Sequence, residues 1–402
     1  MSGLCLVKEY PVGDNRQMKA DVLIIGGGLA GLSLAVALRK ARLSVALVEG
    51  RAPSRSENWD SRLYAVSPVN RSFLDSIGAW KHLDGKRLTA VEAMEVHGDA
   101  GGRINFSAYD SGLDALAWIV ESSALQYELW ESAKRQANLT LLCPAQPLHL
   151  RRDDATSSLT LSDDRTIVAA LVVAADGAES WTRDEAGIHV NFQPYDQLGV
   201  VANFKCEKPH RGTAYQWFRE DGVLAWLPLP DNMMSMVWST NETNAIELQA
   251  LNAEALCARV AQAGNHRLGK LTHVTSAIGF PLRLMRAPST IAPRLALIGD
   301  AAHTIHPLSG HGINLGFQDA RALAELLVGK PDHIDCGDRA LLRRYERSRK
   351  EDVLALQTAT HGLQKLFSPG WRPLSKLRNT GLNVTNALPM IKDALVRYAI
   401  AS

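Results

Sequence analysis

Two stretches of this chain combine glycine, acid and a helix start in ways that could hold a phosphorylated or polyhydroxylated ligand. The first is "ADVLIIGGGLAGLSLAVALRKARLSVALVEG". Gly26, Gly28 and Gly31 have Gly-x-Gly-x-x-Gly spacing after a short apolar run, Asp21 to Ile25. Gly26 permits a tight turn, Gly28 lets a pyrophosphate approach the backbone, and Gly31 lets the following helix pack close to the strand. Helical spacing runs from Leu32 to Ala41; its N-terminus offers free N–H groups and the positive end of the dipole to phosphate, with Leu29 and Ala30 just before it counted among the cofactor contacts. A second apolar strand ends in Glu49, about 20 residues on, where an acid accepts from a ribose hydroxyl and favours an unphosphorylated ribose. Strand, loop, helix, strand and acid in this order are the context that gives a glycine motif its meaning.

The second stretch is "LIGDAAHTIHPLSGHGINLGF", from Leu297 to Phe317. After Gly310 and Gly312 the next glycine is Gly316, one place too late for another dinucleotide loop. The run reads instead as a strand, an acid at Asp300, a turn through Pro307 and a helix opening at Gly312, Ile313 and Asn314. Asp300 could bond a polyol, and a helix start stabilises negative charge on a ring edge. One ligand needs both platforms: FAD, with its AMP half on the first and its ribityl and ring portion on the second. His303 and His306 share this loop, but no carboxylate–histidine ligand spacing surrounds them, so no metal is expected.

With "DSRLYAVS" and "VVAADGAESWTR", these motifs resemble the FAD-dependent aromatic hydroxylases, and among them the ubiquinone-biosynthesis hydroxylases of the UbiH, UbiF and VisC type. The resemblance runs from about Asp21 into the 360s. It implies that Asp300 meets the ribityl chain, that Pro307 and His311 lie beside the ring, and that Gly312 to Asn314 touch its pyrimidine side. It also implies that Arg62 reaches the flavin and that Asp176 lies near the pyrophosphate. Read from residues alone, Asp176-Gly177 is equally an ordinary turn. Relatives usually carry arginine where Ser123 stands and glutamine where His311 stands; Gln126 is the candidate to replace the first contact.

The elements that must position these residues follow. The expected fold is α/β: an FAD-binding Rossmann-like domain (20–80, 118–186 and 285–366), an inserted α+β substrate domain on an antiparallel sheet (81–117 and 187–284), and a C-terminal helical tail (367–402). "GTAYQWFREDGVLAWLPLPDNMMSMVWST" alternates apolar and polar residues around turn signals, as antiparallel strands do. Trp217, Phe218, Trp226, Met234, Met236 and Trp238 are candidates for an apolar pocket there, although such residues are more often plain sheet core.

Composition narrows the classes. Lys+Arg 44 against Asp+Glu 42 gives formal net charge +2, which offers nothing to a nucleic acid. The cysteines lack Cys-x-x-Cys spacing, so neither zinc ribbon nor disulfide framework is indicated. No signal peptide and no membrane span are expected. The tail mixes Arg372, Lys376, Arg378, Lys392 and Arg397 with apolar residues. It could touch a membrane or partner proteins, or pack on its own domain. The expected location is cytoplasmic, with peripheral contact at the inner face of the membrane left open.

The resemblance implies an enzyme that uses NADH or NADPH, oxygen and a flavin C(4a)-hydroperoxide to hydroxylate the ring of a polyprenylated phenol, with ubiquinone-biosynthesis proteins as candidate partners. The alternatives are a catalytically quiet flavin-binding component of a biosynthetic complex, and a flavin monooxygenase for another aromatic substrate. No Trp-x-Trp-x-Ile-Pro segment points to a halogenase.

Overall fold

Strand Gln17–Ile25 changes character along its length. Its first residues are partly exposed, whereas Val22 to Ile25 are buried without a break, as expected of a parallel strand covered on both faces. It pairs in parallel with Val45–Val48 on one side and Thr166–Ala174 on the other. Leu139–Leu142 extends the sheet beyond Val45–Val48. Strand Thr166–Ala174 is shared on its far side: its first half pairs antiparallel with Ser157–Leu161 and its second half parallel with Leu295–Leu297. This computed structural model describes residues 17–305, 312–367 and 372–401.

Alternate side chains of the sheet feed two cores. Val22 and Ile24 face helices Leu29–Ala37, Ser122–Lys134 and Gly312–Gly329. Leu23 and Ile25 face Leu150, Leu159 and Ile188 on the other side. Helix packing on the first face is unusually close at one place. A Cβ added to Gly299 would lie 3.1 Å from the Ala30 Cβ, and one added to Gly316 would lie 3.4 Å from it. Gly299, at φ +59, also makes the turn that ends strand Leu295–Leu297.

A nine-stranded sheet forms the second layer. Its main path runs His303–Thr304, Ile278–Arg286, Asn191–Cys206, Met233–Asn241, Gly222–Leu229, Thr213–Arg219, Ala93–His97, Arg103–Ser107. All pairs are antiparallel except Thr213–Arg219 with Ala93–His97. Its first strand, His303–Thr304, comes directly from the Asp300 turn, so the sheet is tied to that turn by backbone bonds. A three-stranded sheet of Leu63–Val66, Ala117–Glu121 and Thr89–Val91 lies between the layers.

The two faces of the large sheet differ, and the difference decides between core and pocket for its aromatic and methionine residues. Trp217, Trp226, Met234, Met236 and Trp238 are buried together against helices Glu242–Ala250 and Ala253–Ala263. They are core, not pocket lining. Phe218 packs elsewhere, with Val96 and Ile104. The opposite face carries Leu227 and Met233 against Leu63 and Ala65, and further along the same strands Val223, Ala225 and Val237 stay partly open. Period-2 alternation separates the two sets. Met236→Ala is therefore expected to cost about 2–5 kcal/mol in urea unfolding while leaving FAD affinity of the folded protein unchanged.

Candidate active site

The glycine loop is built as its spacing requires. A Cβ on Gly26 (φ +107) would lie 2.4 Å from the Ala175 oxygen, and one on Gly31 would lie 2.1 Å from the Gly26 oxygen. Gly28 is the N-cap of helix Leu29–Ala37, and no side chain caps that terminus. Its first-turn N–H groups thus keep the arrangement that receives a phosphate. Leu29 is buried and Ala30 packs on Gly299, so both offer the loop's ligand only their backbone. Glu49 closes on the loop: its Oε2 accepts from Gly27 N–H at 2.6 Å and its Oε1 from Arg51 N–H at 3.0 Å. Gln126 donates through Nε2 to the Gly27 oxygen at 2.8 Å, fixing the loop from helix Ser122–Lys134. The fit to a pyrophosphate cofactor thus rests on a cradle that any side chain would fill.

The second platform stands beside the first through the Ala30 contact. Asp300 is open to solvent yet ringed by protein, as expected on the floor of a cleft. Desolvation pushes its carboxyl above the usual range, His303 and Arg62 pull it down, and Asp319 pushes it up. Arg62 is exposed and close enough to Asp300 to act on it. Tyr64 shares the same surroundings: burial raises its phenol, opposed by Arg62 and reinforced by Asp300. Gly312 and Ile313 open helix Gly312–Gly329. His306, Pro307 and His311 lie outside the described residues.

Two candidates turn out to be committed to the protein itself. Both oxygens of Asp176 are occupied: Oδ1 accepts from Ser180 Oγ, and Oδ2 accepts from Thr182 N–H at 2.9 Å and Thr182 Oγ1 at 2.8 Å. Its carboxylate caps helix Trp181–Glu185, so the loop reaches Gly26 through its backbone. Asn314 is buried. Its Oδ1 accepts from Ser67 N–H at 2.9 Å and Asn70 Nδ2 at 3.0 Å, and its Nδ2 donates to the Ala65 oxygen at 2.8 Å. That side chain clamps the helix start to the segment following Arg62.

Other positioning groups escaped the sequence reading. Glu121 is buried and accepts from Arg87 Nε at 2.6 Å and Nη2 at 2.8 Å. Arg87 also donates to the Glu57 and Asn58 oxygens and stacks over Trp59 at 4.5 Å. Asp60 continues this clamp. Its N–H donates to Glu121, while its carboxylate accepts from Arg62 N–H at 2.8 Å and Ser123 N–H at 3.0 Å. Ser123 therefore contributes to placing Arg62 through its backbone.

Behind Asp300 lies a second network. Asp319 accepts from Gly299 N–H at 3.0 Å and lies 2.7 Å from His303 Nε2 and 2.8 Å from Arg349 Nε. Arg349 donates onward to Gln318 and Asp352. Burial opposes the charge on Asp319, but His303 and Arg349 overcome it and hold the carboxyl below its usual range. Arg183 ties this turn to the Asp176 loop, donating to the oxygens of Ala178 and Ala301.

Two outcomes follow from this geometry. Gly31→Ala should weaken FAD binding by at least roughly tenfold, about 1.4 kcal/mol, read by equilibrium titration of the apoprotein. Asp319 ionises more readily folded than unfolded, so its stabilisation is present above its unfolded pKa and is lost as pH falls through the depressed folded value. Asp319→Asn should therefore flatten the acid side of the profile of thermal midpoint against pH, below about pH 4.

Comparison with known proteins fits this site. Residues 19–360 match the FAD binding domain family. Ubiquinone hydroxylase UbiL of Rhodospirillum rubrum is 34% identical over 98% of this chain and 92% of its own length. The 3-demethoxyubiquinol 3-hydroxylase of Escherichia coli is 33% identical over 94% of this chain and 98% of its own. Among solved structures, p-nitrophenol 4-monooxygenase PnpA of Pseudomonas putida superposes with a TM-score of 0.78 at 17% identity, covering 94% of this chain and 97% of that one, a likeness of fold. The chain belongs to the FAD binding domain family and, within it, to the FAD-dependent aromatic hydroxylases of the ubiquinone-biosynthesis type.

Proposed function

We propose that this protein hydroxylates the aromatic ring of a polyprenylated phenol in ubiquinone biosynthesis, with oxygen as co-substrate and NADH or NADPH as electron donor. The names of its relatives support the reaction class. The observation that carries it is the meeting of the two ligand platforms at Ala30.

In this reading segments 20–80, 118–186 and 285–366 hold the flavin and segments 81–117 and 187–284 cover it. The backbone of Gly26, Gly28, Leu29, Ala30 and Gly31 receives the pyrophosphate, and Glu49 receives a ribose hydroxyl. Gln126 and Asp176 shape the loop around them. Arg62 and Asp300 meet the ribityl and ring end, where Gly312, Ile313 and Asn314 present the helix start. When bound, FAD supplies the oxygen activation that no side chain can perform. The chain's part is to hold the phenol against it and to exclude water with the apolar sheet face. Arg62 and the helix start stabilise negative charge that develops at the ring end.

A polyprenylated phenol resides in lipid, so contact with the inner face of a bilayer from the cytoplasmic side belongs to the same proposal, as does association with other proteins of the pathway. Exposed Leu388, between the last two helices, and exposed Met390, Ile391 and Leu395 on the last one support such contact. No described helix is long and apolar enough to cross a membrane.

The test is turnover by the purified holoprotein under ¹⁸O₂. The expected product carries one labelled oxygen on the ring, with NAD(P)H oxidation that depends on the phenol. Nicotinamide oxidation without a labelled product would point to another aromatic substrate. No phenol-dependent oxidation across prenylated and simple phenols would leave the quiet flavin-binding reading. Arg62→Ala should retain the fold and lower turnover by roughly tenfold or more, equivalent to ~1.4 kcal/mol.

A further inference from the structure

The turn at residues 98–102, "GDAGG", joins the two outermost strands of the large sheet and reads as an ordinary hairpin loop. In the fold it is a socket. Asn379, on helix Arg372–Ala387, is buried in it. Its Oδ1 accepts from Ala100 N–H at 3.2 Å and Gly102 N–H at 2.8 Å, and its Nδ2 donates to Asp99 Oδ1 at 2.7 Å. A Cβ on Gly98 or Gly102 would lie 2.2 or 2.6 Å from Asn379 Oδ1, so both glycines are needed to admit it. Two further asparagines continue the register along the edge strand. Asn383 Oδ1 accepts from Arg103 N–H at 2.9 Å, and Asn386 Oδ1 accepts from Asn105 N–H at 3.0 Å. Arg378 adds an ion pair to Asp99 and a bond to the Leu366 oxygen.

The latch brings an apolar wall onto the flavin side of the sheet. Leu366 and Leu382 pack beside Phe106 and Val223, all only partly buried. Met94 belongs both to this group and to the group that includes Leu63 and Ala65, next to Tyr64. A run of half-buried apolar side chains therefore leads from the segment carrying Arg62 to the underside of the C-terminal helices. The final helix, Pro389–Ala401, then packs on helix Pro68–Ser76, with Met390 and Leu395 exposed.

We propose that the C-terminal helices form a latched wall of the substrate cleft, that Asn379 is its latch, and that the apolar run through Met94, Leu366 and Leu382 seats the substrate's isoprenoid arm. This rests on the function proposed above and names the element that selects for chain length. Burial of further methylenes strengthens binding only while the wall is in place.

The experiment compares equilibrium binding and KM of the holoenzyme for 2-prenylphenol and 2-farnesylphenol. The wild type should favour the longer arm. Asn379→Ala and Gly102→Ala, which break the latch from its two sides, should keep bound FAD and the values for 2-prenylphenol while reducing the preference for 2-farnesylphenol by roughly tenfold, about 1.4 kcal/mol. Leu382→Trp, which leaves the latch intact and narrows the run, should do the same and decides the matter if the latch variants do not fold. A wild type indifferent to arm length, or a preference within about twofold of wild type in Leu382→Trp, overturns the proposal while the hydroxylase reading stands. Failure of the wild type to bind or turn over either phenol overturns both.

Discussion

Ala30 sits where the two halves of the ligand site meet, and its methyl group sets how near they come. Gly299 and Gly316 are bare on the side facing it. A methyl at Gly299 would meet that of Ala30 at 3.1 Å and one at Gly316 would meet it at 3.4 Å, so a longer side chain at either place would have to part helix Leu29–Ala37 from the Asp300 turn. Dispersion falls steeply over such a gap. Helix Leu29–Ala37 and the Asp300 turn therefore pack as one body, because Ala30, Gly299 and Gly316 carry almost no side chain where they meet.

The rigidity of that body is completed from behind. Asp319 holds the Gly299 N–H, His303 and Arg349 at once. A buried carboxylate with this many partners is costly to disturb, because removing any partner leaves charge unmatched in a low-dielectric interior. The Glu121–Arg87 pair does the same for the segment bearing Arg62. The exposed groups Arg62 and Asp300 are thus each backed by an ion pair on a buried carboxylate, Glu121 or Asp319.

Local patterns were legible in the sequence and remote pairings were not. The Gly26 to Glu49 unit is contiguous, so its geometry follows from spacing. Asp300 was legible for the same reason. Alternation in residues 213–240 announced strands and divided Trp226 and Met236 from Ala225 and Val237, but it could not say which set faced the flavin side; the two helices at 242–263 settle that by covering the tryptophans. Asn314 and Asp176 have the right types in the right places, yet their side chains serve the protein, a distinction that depends on neighbours 247 residues away for Ser67 and only 6 for Thr182. Arg349, 30 residues from Asp319, and Arg87, 34 from Glu121, carry no local signal at all. The tail was left between self-packing and outward contact, and the asparagine register shows that its inner face packs on its own fold.

Strand Thr166–Ala174 has a consequence for the order in which the molecule is made. Half of one edge is matched by Ser157–Leu161, only a short hairpin away, while the other half waits for Leu295–Leu297. Everything from Asn191 to Arg286, most of the large sheet, is synthesised in between. The glycine loop and its parallel strands can form early from nearby chain, but the Asp300 turn arrives only after a long, non-local closure. During synthesis the growing chain therefore holds a dinucleotide cradle without its second platform, and a cofactor captured at that stage would be gripped at one end.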